Sequence, residues 1–118
     1  MGKSKTDTIF DKIIRKEIPS KIVFENAHVL AFHDISPQAP VHVLVVPKKK
    51  LRGFAELAGV DPMEVGHFIQ GVALAAKHLG LDEDGYRIVF NYGKDALQTV
   101  DYIHAHILGK RSMGWPPG

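Results

Sequence analysis

Residues 101–108 read DYIHAHIL. His104 and His106 stand two apart in a run of apolar and β-prone residues, and side chains alternate along a strand. Tyr102, His104 and His106 therefore share one face, while Ile103, Ala105 and Ile107 share the other. Two imidazoles are aimed at one spot.

The last strand, read as VDYIHAHILG (100–109), follows a strand YRIVFN (86–91) and the loop YGKDALQT. Before them a longer helix is expected from the N-cap Asp61 and Pro62 to Leu79, with Gly80 as its stop. Its buried stripe is read as Val65, Phe68, Ile69, Val72, Ala76 and Leu79. Three strands precede it: IVFE (22–25), HVLAFHD (28–34) across the turn at Asn26-Ala27, and VHVLVVP (41–47) after the turn-rich SPQAP. Their succession suggests an antiparallel meander. A short first helix spans Thr8 to Glu17, with Ile9, Phe10, Ile13 and Ile14 at helical spacing, Thr8 and Asp11 as a capping arrangement, and Pro19 beyond its end. The order αβββαββ gives an α+β domain with two helices and an antiparallel sheet of about five strands.

A chain of 118 residues with 45% apolar and 24% charged residues reads as one ordinary globular domain. Residues 8–118 are assigned to it and 1–7 to a flexible basic tail. A net charge of +2, with Lys and Arg scattered apart from Lys48-Lys49-Lys50, argues against nucleic acid as a partner. The absence of cysteine excludes disulfides, Cys-ligated zinc and thiol chemistry, and suits an intracellular protein. No apolar run approaches the ~20 residues of a membrane span, and MGKSKTDT is not a signal peptide. That start does match the N-myristoylation pattern through Gly2 and Thr6.

Lone histidines such as His28, His33 and His78 are ordinarily hydrogen-bonded structural residues. A pair on one face has more uses. Two imidazoles can divide the work of nucleophile and general acid, because histidine takes and gives protons near neutral pH. They can also ligate a metal, with His42 on VHVLVV as a third ligand. Spacing alone leaves catalysis, metal binding and structure open.

Three separated segments carry a resemblance: HDISPQAPVHVLVVPKK (33–49), Asn91 to Gln98, and YIHAHILGKRSMGWPPG (102–118). They resemble the histidine triad (HIT) family, specifically its nucleotide-binding Hint branch, and the likeness runs from IFDKIIRKEIPSKIVFEN (9–26) to the final WPPG. The family triad is His, apolar, His, apolar, His. Here Tyr102 takes the first place, ahead of His104 and His106.

The resemblance implies a HIT-like fold in which His104 attacks the α-phosphorus of a nucleotide and His106 assists the leaving group. His42 sits beside them, and the Tyr102 carbonyl orients the nucleophile. Asp34 is implied to accept the ribose hydroxyls, Ile35, Phe10 and Phe32 to line the base pocket, and Asn91, Gln98 and Thr99 to bind phosphate. Ala96-Leu97 replaces a glycine pair in that last segment. The implied activity is hydrolysis of purine nucleoside phosphoramidates, such as adenylated lysine, with no cofactor or metal required. The implied assembly is a homodimer with a ten-stranded sheet, the 61–79 helix and the Trp115 tail at its interface, in the cytoplasm or also the nucleus. A purine-nucleotide-binding regulatory module and a dinucleoside polyphosphate hydrolase are the alternatives. The WPPG ending speaks against the latter.

Overall fold

The structure, a computed structural model, describes residues 7–118. The candidate modification at Gly2 lies outside them. Eight elements follow the chain: α1 (Ile9–Ile14), β1 (Ile22–Glu25), β2 (Val29–His33), β3 (Val41–Pro47), a 3-10 segment (Phe54–Gly59), α2 (Pro62–His78), β4 (Tyr86–Val89) and β5 (Ala105–Gly109). The strands form one five-stranded antiparallel sheet in the order β1-β2-β3-β5-β4. The first three are a meander, as expected. The last strand then inserts between β3 and β4, which leaves β4 as a free edge.

Helix α1 starts as its sequence predicts: the Thr8 hydroxyl accepts from the Asp11 N–H, and the Asp11 carboxylate accepts from the Thr8 N–H at 2.7 Å. It ends three residues before the expected Glu17. Lys16 adopts the left-handed conformation, with φ of 62°. Its N–H reaches the Ile13 carbonyl while the Glu17 N–H reaches that of Lys12. This pair of bonds closes a helix at a position where glycine is the usual residue. With lysine there instead, the stop read from the sequence, Pro19, falls further along the chain.

Helix α2 begins at Asp61-Pro62 as expected, the Asp61 side chain accepting from the Met63 N–H. Its buried face is Phe68, Gly71, Val72, Ala75 and Ala76, so the expected stripe is corrected: Ile69 faces outward, and Val65 and Leu79 are only half-buried. Gly71 sets this rotation. A Cβ there would lie 2.5 Å from Val29 Cγ1, so the helix rests on β2 by its own backbone.

The sheet has two clothed faces. Val29, Ala31, Val43, Val45, Ala105 and Ile107 pack against α2 and Leu81. Leu30, Phe32, Leu44, Val46 and Tyr102 pack against Phe10 and Ile13 of α1. Each fully buried large side chain contributes about 1.5–3 kcal/mol. The shorter α1 leaves part of its face open, and there the polar side chains of β3 and β5 emerge. Among the described residues no helix is long and apolar enough to cross a membrane.

Strand β5 starts at Ala105, five residues later than expected, and β4 ends at Val89 rather than Asn91. The last β3–β5 pair is Val45 with Ala105. Upstream of it the chain turns away, held by the Ile103 N–H on the Leu51 carbonyl at 2.7 Å. His104 therefore stands just ahead of the strand.

Candidate active site

Three imidazoles meet on the α1 side of the sheet. His106 lies directly opposite Leu44, and His42 is two residues along β3 on the same face. The His104 and His106 rings are 5.0 Å apart between centroids, and those of His42 and His106 5.2 Å. His42 and His104 are buried.

Their hydrogen bonds fix which nitrogen carries each proton. The Gln38 N–H is a donor only and meets His42 Nδ1 at 3.0 Å, so neutral His42 holds its proton on Nε2. That Nε2 is 2.9 Å from His106 Nδ1, which must then accept. Neutral His106 consequently carries its proton on Nε2, a buried atom with no protein partner among the described residues. At His104 the logic reverses. Nδ1 is 2.7 Å from the Tyr102 carbonyl, which can only accept, so Nδ1 donates and Nε2 keeps its lone pair. The site thus presents one nucleophilic nitrogen and one N–H donor.

Burial lowers all three imidazole pKa values. His106 falls furthest, to about 4, because of burial first and then its neighbours His104 and His42. Burial thus favours the neutral form of all three. Asp34 opposes the shift at each, and its Oδ2 is 3.5 Å from His42 Nε2. Asp34, His42 and His106 each offer one ligand atom within 4.8 Å of the others. Two imidazole nitrogens and a carboxylate are a donor set that suits zinc.

Tyr102 turns away from this centre. Its hydroxyl donates to the Pro47 carbonyl at the end of β3, its ring packs edge-on to Phe10, and Lys50 Nζ lies 5.5 Å over the ring. The backbone carbonyl that serves His104 is thereby anchored through its own side chain. Tyr102→Phe should lower stability by about 1–2 kcal/mol, because the Pro47 carbonyl loses a buried partner. Urea unfolding checks this, and an unchanged midpoint would show that the anchor carries no weight.

A cleft of about 990 Å³ opens beside the histidines. It is lined by His104, His106, Asp34, Phe10, Phe32, Ile35 and Thr99, all singled out in the sequence, and also by Ile13, Ile18, Leu44 and Val100. Ile35 stands at the rim, 97% exposed. Asn91 and Gln98 do not line it. The Gln98 side chain is spent on its own loop, accepting from the Gly93 N–H and donating to the Arg52 and Val100 carbonyls. Leu97, in place of a glycine, takes φ of 60° and stands exposed. Trp115 lies over the Arg87 guanidinium of β4, and Arg87 also donates to the Gly114 carbonyl.

The model of the HIT domain family matches residues 15–113. The chain belongs to that family. A HIT relative named 14 kDa zinc-binding protein, from Zea mays, is 51% identical over 113 residues, covering 94% of this chain and 88% of its own. The HIT protein named Adenylylsulfatase HINT1, from Arabidopsis thaliana, is 48% identical over 118 residues, covering 98% of this chain and 79% of its own. Among solved structures, the HIT family hydrolase from Legionella pneumophila Philadelphia 1 matches with a TM-score of 0.85 at 41% identity, covering 95% of this chain and all of that one. The α+β fold expected from the HIT resemblance is therefore correct. The expectation that no cofactor is required is not: a HIT relative of this similarity is named for zinc. No carboxylate stands directly beside His42, His104 or His106 in the sequence; Asp34 arrives from just past β2.

Proposed function

We propose that this protein is a nucleotide hydrolase that transfers a nucleoside phosphoryl group to His104 and then to water. The observation that carries the reading is the opposed protonation of two adjacent imidazoles, a bare Nε2 on His104 and a proton-bearing Nε2 on His106, at one cleft. The name of the Arabidopsis relative, an adenylylsulfatase, supports hydrolysis of an adenylyl compound.

The chemistry follows from the hydrogen bonds. His104 Nε2 attacks phosphorus, and the positive charge that grows on its ring is met at Nδ1–H by the Tyr102 carbonyl. The leaving group departs as the P–N or P–O bond breaks: a leaving oxygen is met by the His106 Nε2–H, whereas a leaving amine takes a proton from His106 in its imidazolium form, which the water of the second step restores. Water then attacks the phosphohistidine and releases a nucleoside monophosphate. Phe10, Phe32 and Ile35 offer an apolar bed for a purine, and Asp34 an acceptor for ribose hydroxyls. A zinc ion on this chain would be held by Asp34, His42 and His106. It would supply Lewis-acid polarisation of a phosphoryl oxygen.

The substrate class we favour is purine nucleoside phosphoramidates, including adenylated lysine. A second reading, adenylyl sulfate, has its own support: His106 is neutral, and sulfate leaves without taking a proton, unlike an amine. A homodimer is proposed through the free edge of β4 and the outward Ile69 and Leu74 of α2, with the Trp115 tail alongside.

Steady-state hydrolysis of adenosine phosphoramidate, adenylyl sulfate and diadenosine polyphosphate, on one preparation sized by sedimentation, tests these readings together. Release of AMP from the first or second supports the proposal. Tight nucleotide binding without turnover of any would replace it with the binding-module reading.

A further inference from the structure

The relay that arms His106 does not end at His42. Arg111, two residues past β5, donates from Nε to the Gln38 carbonyl at 3.0 Å and from Nη1 to the Ser112 carbonyl. Gln38, held at its carbonyl, places its N–H on His42 Nδ1 at 3.0 Å. An unbroken chain therefore runs from an exposed guanidinium through Gln38, His42 and His106 to the cleft. Each link has one direction.

We propose that Arg111 and the backbone of Gln38 are positioning residues that set the polarity of this chain, and through it make His106 a donor toward the leaving group. The inference rests on the hydrolase reading and deepens it. Imidazole has two neutral tautomers, and nothing intrinsic to His42 and His106 selects between opposite orientations of the pair. With His42 protonated on Nδ1, its bare Nε2 would accept from His106 Nδ1–H. His106 Nε2 would then face the cleft as an acceptor, the wrong polarity for an anionic or departing group. That arrangement sets two N–H groups against each other at Gln38 and His42. The Gln38 N–H forbids it, and Arg111 keeps that N–H in place.

This function is invisible to a side-chain reading of residue 38, because the acting group is a backbone amide. The Gln38 side chain donates to the Ser36 carbonyl instead. Two substitutions at one position therefore separate the roles. Gln38→Ala keeps the N–H; Gln38→Pro removes it.

The test is the tautomer of His42 and His106 read from imidazole 15N shifts at neutral pH, in the full chain. Wild type and Gln38→Ala should show both rings protonated on Nε2. Gln38→Pro and Arg111→Ala should show mixtures, with kcat for a substrate whose leaving oxygen departs as an anion reduced about tenfold at unchanged KM. Arg111→Lys, which can still donate to the Gln38 carbonyl, should recover part of that loss. An activated leaving group should be affected less, whereas a merely structural role would slow every substrate alike. If Gln38→Pro does not fold, Arg111→Ala carries the test. Unchanged tautomers in Arg111→Ala, or a loss confined to KM, would overturn the proposal. A wild type that hydrolyses nothing but shows the expected tautomers would instead overturn the hydrolase reading and leave the relay standing.

Discussion

His104→Ala should reduce turnover by roughly 10³-fold or more while nucleotide affinity changes little. Neither neighbouring imidazole can take over the attack. His42 Nδ1 is held by the Gln38 N–H, His106 Nδ1 by His42, and His106 Nε2 carries a proton. Binding should persist because Phe10, Phe32, Asp34 and Ile35 do not depend on His104 for their positions in β2, α1 and the loop after β2. The Tyr102 carbonyl loses its partner and Phe10 loses an edge contact, so a modest drop in stability accompanies the substitution. Calorimetric titration with AMP and thermal unfolding separate these effects. Activity within tenfold of wild type, in a folded variant, would remove His104 from the nucleophile's role.

His106→Ala should divide substrates by their leaving group. A departing amine takes its proton from His106 in the imidazolium form and should slow by about 10²–10⁴-fold. A group that leaves as a stable anion, such as sulfate, should slow far less. Equal losses across the series would mean that His106 only shapes the cleft. The same variant changes the response to acid. Folded His106 titrates near pH 4, below the ordinary imidazole value of about 6.5, so between those values the unfolded chain binds more protons there than the folded one. Stability therefore falls as pH falls through that window, and His42 and His104, also lowered by burial, act in the same direction. Urea unfolding between pH 7 and about 4 should show a shallower decline in His106→Ala than in wild type. Parallel curves would contradict the assignment.

The alternation of DYIHAHIL was legible because a two-residue period needs no tertiary information, and it placed Ile103, Ala105 and Ile107 on one face and both histidines on the other. Asp61-Pro62 was legible for a similar reason, since the cap is local. Less could be read where a long-range contact decides. The insertion of β5 between β3 and β4 follows no local signal, and the rotation of α2 is set by Gly71 meeting Val29, forty-two residues earlier. At the site, side-chain chemistry marked the histidines, Asp34 and the aromatic lining. Gln98 misled because its amide suits phosphate as well as the backbone groups it actually binds. Gln38 could not be found at all by residue type, since it acts through its N–H.

The measurement that bears most directly on the account is mass spectrometry of the enzyme quenched without acid during turnover of an adenosine phosphoramidate, followed by peptide mapping. A phosphorus–nitrogen bond to histidine survives such a quench long enough to be located. The account predicts one adenylyl group per active site, on His104, absent from His104→Ala and accumulating when water attack is the slower step. An adduct on His42 or His106, or steady turnover with no adduct on any histidine at the earliest times, would contradict it.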